Sequence, residues 1–157
     1  MGAPPERWLE IHKRALDAVR AAIDGLDQQT VHWKAPGTGT SIASDVSHIC
    51  DAERYWMREV GFEPDLPTLS VEEATLDELT AALNAAEAEH GRLLRDRPAD
   101  KNVLFGLGRV CQHALHHLGR IGYFRMRHQP DWNHPKPEAR GSLPRAFDLI
   151  TDTVIGV

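Results

Sequence analysis

Val110-Cys111-Gln112-His113-Ala114-Leu115-His116-His117-Leu118-Gly119-Arg120-Ile121 is the stretch that decides how this chain is read, because three histidines sit inside a segment of helical apolar spacing. At about 100° per residue, Leu107, Val110, Ala114, Leu118 and Ile121 share one helix face. His117 falls within that face and His113 on its border, while His116 turns away towards Arg109, Arg120 and Arg127. His113 and His117 therefore project inwards together, one turn apart. Two neutral imidazoles at that spacing are half of a transition-metal site. The same spacing also occurs in ordinary helices, where the histidines are simply core residues.

Working outward, the amphipathic pattern repeats. The helix carrying the histidines is predicted over 103–128, after a break at Pro98, and Gly106 and Gly108 in its first turns allow close approach by a neighbour. A helix over 75–95 opens with the capping box Thr75-Leu76-Asp77-Glu78 and turns Leu76, Leu79, Leu83, Ala86, His90 and Leu94 inwards. A helix over 41–60 starts at Ser41 as N-cap and buries Ile42, Val46, Ile49, Trp56 and Val60. His48 lies at the border of that arc, Glu53 within it, and Asp45 one turn before His48 on the same side. The first helix, over 5–26, has Pro4 and Pro5 at its start and Gly25 near its end. Trp8, Ile11, Ala15, Val19, Ala22 and Ile23 form its stripe, and His12 points into it.

The connections complete the plan. Residues 27–40, rich in Gly, Pro and Thr, read as a loop whose Trp33 anchors one end of the core. Residues 61–74, with Pro64 and Pro67, are too long for a tight antiparallel connection and imply a crossover along the length of the molecule. Residues 132–157 read as an irregular tail with a short helix over 143–155, capped by Ser142. Its apolar set, Ala146, Phe147, Ile150 and Val154, needs cover from the bundle or from a second subunit. No strand pattern and no repeat emerges. The expectation is an all-α fold: a single domain over 1–157, built as a four-helix bundle with a long crossover between its second and third helices plus a short C-terminal helix.

Composition narrows the partners. With 41% hydrophobic and 26% charged residues the 157-residue chain has the balance of a soluble globular protein. A net charge of −5 with scattered basic residues gives no footprint for nucleic acid. No apolar run approaches the roughly 20 residues of a membrane span. The N-terminus has no secretory apolar segment, and Glu6 occupies the position where a myristoylation signal needs Ser or Thr, so a cytoplasmic location is expected. Cys50 and Cys111 form neither a disulfide framework nor a CxxC motif and read as small buried hydrophobes.

Metal sites in bundles are built from inward side chains on facing helices. His48 with His113 and His117 supplies three imidazoles, provided that the second and fourth helices face each other at that level, which spacing alone leaves open. His12 is a further inward histidine, a core residue or a neighbour of a site at one end of the core, and His90 is another, more often a core residue than a ligand. Glu53 inside an apolar arc needs a partner for its charge.

The order of parts resembles the DinB-like superfamily of bacterial metal-binding four-helix bundles. The matching pieces are Trp33 with Pro36 before the helix start Thr40-Ser41-Ile42, then Ser47-His48 with Glu53 and Trp56, then His113-Ala114-Leu115-His116-His117-Leu118-Gly119-Arg120-Ile121 against the family's HxxHH-x-G-x-I segment. The resemblance runs to about residue 130. It implies that His48, His113 and His117 are the ligands of one divalent transition metal, with His116 as the outward member of the doublet; imidazole donors suit zinc, nickel or iron, and cobalt as well. The chain departs from the family where Leu118-Gly119-Arg120 stands in place of the frequent Arg-Gly-Gln.

Three imidazoles leave a coordination position open, which is the composition of a catalytic site. The resemblance implies either a metal-dependent hydrolase or a transferase using a low-molecular-weight thiol such as mycothiol or bacillithiol as co-substrate. Glu53 and Asp45 are the candidate general base or orienting carboxylates, and Arg120 or Arg125 the candidate holder of an anionic small-molecule substrate. Two other readings stand beside the enzyme: a non-catalytic metal-binding protein of the stress response, and a structural bundle with core histidines. A homodimer is expected, since the tail helix offers extra apolar surface.

Overall fold

The computed structural model describes residues 4–34, 36–98 and 100–132. The chain forms α1 (Pro5–Ile23), α2 (Gln28–His32), α3 (Ile42–Glu59), α4 (Leu76–Asp96) and α5 (Lys101–His128), with no strand among the described residues. The protein is all-α, as its apolar spacing predicts. The four long helices make the bundle, in which α1 lies beside α4 and α5, and α3 lies beside the same two.

Two apolar layers give the direction of each helix. One contains Met57, Phe62, Leu93, Leu94, Val103, Leu107 and Val110, with Trp8 and Leu9 against it. The other contains Ala15 to Leu26 of α1 and its turn, Ile42 to Cys50 of α3, Leu79 to Ala86 of α4 and Ala114 to Phe124 of α5. Thus α1 and α5 run one way, and α3 and α4 the other. The connection from α3 to α4 leaves beside Phe62 in the first layer and arrives at Ala74 in the second. It therefore crosses the length of the bundle, which is why the chain needs so many residues there.

Local chemistry sets the helix ends. At α3, Ser41 Oγ accepts from Ser44 N at 3.1 Å while Ser44 Oγ accepts from Ser41 N at 2.8 Å. Thr75 and Glu78 make the predicted reciprocal cap of α4. Asp100 Oδ1 accepts from Asn102 N at 2.8 Å, so α5 begins two residues before the expected start. Gly25, at φ 69°, turns the chain out of α1, which ends at Ile23 rather than near residue 26.

One expectation needs correction. The segment 27–40 is not all loop, because Asp27 Oδ1 accepts from Thr30 N at 2.7 Å and caps the short α2. Gln28 Nε2 at 3.0 Å and His32 Nε2 at 2.9 Å then both reach the Ala74 carbonyl, tying α2 to the end of the crossover. Trp33 closes this end of the core, packed edge-on against Phe124 and His128 with ring centroids 6.1 and 4.4 Å away. The expected helix over 143–155 lies outside the described residues. Among those described, no helix is long and apolar enough to cross a membrane.

The glycines of α5 admit two tryptophans. A Cβ at Gly106 would stand 3.6 Å from Trp56 Cβ, and one at Gly108 would stand 3.3 Å from the Trp8 ring. The first is ordinary contact, so Gly106→Ala should raise stability by about 0.5–1 kcal/mol through helix propensity. Gly106→Leu, which has to displace Trp56, should lower it, and thermal unfolding of the two variants checks the contrast. Ser41→Ala should cost about 1 kcal/mol by removing the cap of α3, read as a fall of roughly 2–4 °C in Tm.

Candidate metal centre

Because α3 and α5 pack side by side, the border histidine of one meets the histidine pair of the other. The ring centroids of His48 and His113 are 4.9 Å apart, those of His48 and His117 5.0 Å, and those of His113 and His117 4.5 Å. Each residue offers one ring nitrogen, and these three atoms lie within 4.8 Å of one another. The structure thus brings together the three residues singled out in the sequence. Exposure is graded across them: His117 is buried, His113 half-buried and His48 exposed, so the group opens towards solvent from an interior base.

Asp45, one turn before His48 on α3, is buried behind His117. His117 Nδ1–H donates to Asp45 Oδ1 at 2.9 Å, which fixes the ring orientation and leaves the Nε2 lone pair facing the other imidazoles. His117 Nε2 stands 3.2 Å from His113 Nε2. The Arg120 guanidinium approaches the same Asp45 oxygen at 3.3 Å and sets a positive charge beside the buried carboxylate. Burial, followed by the neighbouring imidazoles of His117, His48 and His116, pulls the His113 pKa down to about 4. At neutral pH this ring therefore keeps its lone pair.

These features fit a divalent transition metal. Nitrogens bound to one zinc at about 2.0–2.1 Å stand roughly 3.3 Å apart in a tetrahedron, close to the spacing of the two Nε2 atoms. Donor type, the ring orientation that Asp45 gives His117 and the neutral His113 ring agree with that use as well. His116 is exposed, with its ring edge-on to His117 at 5.1 Å.

The other sequence candidates lie elsewhere. Glu53, fully buried, has its oxygens against His12 and His90: His12 Nε2 donates to Oε1 at 3.0 Å, and His90 Nδ1 stands 3.0 Å from Oε2. Burial opposes its charge, but the two histidines outweigh that effect and hold the Glu53 carboxyl at about 2. Burial pushes His90 down. Each of these three residues carries an inward signal in the sequence, and what the spacing leaves out is that they share one level of the core. Arg125 is committed to α1, where it donates to the Ala22 carbonyl at 2.9 Å, and its guanidinium covers the Trp132 ring. Cys50 and Cys111 are free and buried; burial drives the Cys50 thiol up to about 12 and raises that of Cys111 well above its ordinary value.

No curated protein and no solved structure gives a match. The profile of the DinB superfamily matches residues 11–121, from the inner face of α1 through all three histidines to the end of the motif at Ile121. With well over half of the sequence matched, the chain belongs to the DinB superfamily.

Proposed function

We propose that this protein is a divalent-metal-dependent enzyme for a small-molecule substrate, either a hydrolase or a transferase of a low-molecular-weight thiol. The observation that carries this reading is the convergence of the His48, His113 and His117 nitrogens at the end of a gradient from buried to exposed. A purely structural cluster has no need of an open side. A divalent ion held by three neutral imidazoles would keep its 2+ charge and would supply Lewis acidity to a water, thiol or carbonyl group brought there. Imidazole donors suit zinc, nickel and iron alike.

The chain's own residues divide the work. His117 is the anchoring ligand, held by Asp45 from behind. Asp45 is a positioning residue: it is almost fully buried and spends one oxygen on the ring. Arg120, partly exposed beside it, offers its remaining donors to a carboxylate of the substrate or of the thiol. Glu53 is taken up by His12 and His90 and serves the interior rather than the open site. A protein sulfur as nucleophile is disfavoured, since both cysteines are buried with raised pKa values. In the transferase reading the sulfur therefore arrives with the co-substrate.

His117→Ala should remove one metal equivalent per chain, measured by elemental analysis of protein prepared without chelator, and should abolish turnover. Asp45→Asn keeps the shape but weakens the hold on the ring, with an expected loss of roughly 10- to 100-fold in metal affinity. An ester and lactone panel, run with and without mycothiol or bacillithiol, separates the chemistries. Turnover without thiol identifies a hydrolase, and turnover only with thiol a transferase. Absence of both in metal-loaded protein overturns the enzyme reading and leaves a bundle that holds metal without reaction.

A further inference from the structure

The boundary between the two apolar layers is polar. His12 lies on α1 between Leu9 and Ala15, Glu53 on α3 between Cys50 and Met57, and His90 on α4 between Ala86 and Leu93, in each case between residues of different layers. The three side chains meet there at relative exposures of 0, 0 and 2%. One donor atom from each lies within 4.8 Å of the other two, and the His12 and His90 ring centroids are 4.5 Å apart. The cluster draws on three helices, and only α3 also supplies a ligand to the open site.

Its hydrogen bonding is incomplete. His12 Nε2 donates to Glu53 Oε1, and His90 Nδ1 stands 3.0 Å from Glu53 Oε2 as an ion pair. His12 Nδ1 is buried with no hydrogen-bond partner, and beyond their mutual ion pair His90 Nδ1 and Glu53 Oε2 have none either. Unpartnered polar atoms in a closed core are costly, and a carboxylate there needs a positive partner. No lysine or arginine among the described residues pairs with Glu53; its ion-pair partners are the two histidines. Two imidazoles and one carboxylate are also the donor set of known zinc sites.

We infer that His12, Glu53 and His90 form a second divalent-cation site, sealed inside the bundle and separate from the open three-histidine centre. An ion there takes one donor atom from each of His12, Glu53 and His90, with both imidazoles neutral, so metal uptake releases to solvent any proton carried by a ligating nitrogen. The ion links α1, α3 and α4 at one level of the core. Because all three residues are closed to solvent, the ion enters as the chain folds and leaves only when the core opens. The two sites therefore differ in exchange as well as in composition.

The test is zinc stoichiometry on the full chain, refolded with excess zinc, freed of loose metal and then exposed to a chelator under native conditions. The expected result is two equivalents, of which one is removed quickly and the other stays until denaturant is added. His117→Ala should retain the slow equivalent alone, and Glu53→Gln the fast one alone. If Glu53→Gln does not fold, anomalous scattering at the zinc edge from crystals of the unaltered protein decides, with a peak among His12, Glu53 and His90 expected. One equivalent in the unaltered protein and none in His117→Ala overturns this inference and leaves the open site intact. One slow equivalent that survives His117→Ala supports it and instead removes the metal basis of the proposed function.

Discussion

The hydrogen bond from His117 to Asp45 spans the contact between α3 and α5, and the candidate centre depends on it. It joins two helices that are distant in sequence, with all of α4 between them. It selects which ring nitrogen carries the proton, and therefore which lone pair points at His113 and His48. A carboxylate buried this deeply is tolerable because the imidazole N–H and the Arg120 guanidinium both address the same oxygen. Asp45 Oδ2 is left buried with no hydrogen-bond partner, which marks the local cost of orienting the ring. The bundle's apolar layers supply the stability that bears this cost.

How much was legible in the sequence follows from what each signal encodes. Helical periodicity and caps report on one element at a time, so Ser41, Thr75 with Glu78 and the long apolar stripes mark the bundle. The pair His113 and His117 is likewise internal to one helix. Its meeting with His48 depends on the axial level at which α3 packs on α5, which in the sequence is carried only by the resemblance to the family. The same limitation applies to His12, Glu53 and His90, each marked as inward but without a shared level. The short α2 escaped for a different reason. Five residues are too few for a period, and only Asp27 with its bond to Thr30 N gives it away.

The two histidine clusters show how one scaffold treats polar groups in opposite ways. At the open centre, three rings face one another with a carboxylate behind one of them and solvent in front. In the interior cluster, a carboxylate is enclosed between two rings and separates one apolar layer from the next. The first arrangement keeps lone pairs available; the second takes a charge out of water. Both draw on α3, so that helix has to satisfy two polar centres while its larger inward apolar residues, Ile42, Val46, Ile49 and Met57, hold the core together.

The crossover between α3 and α4 has a consequence for how the protein tolerates change. It is held at Phe62 and Ala74 and at Leu66 and Leu69 between them, and it lies outside the contact between α3 and α5 that sets the imidazole spacing. Loop closure entropy grows only slowly with length. Additional residues between those anchor points thus have little leverage on the geometry of the three rings. The segment gives the scaffold latitude to vary its outline while the spacing of the three imidazoles stays constant.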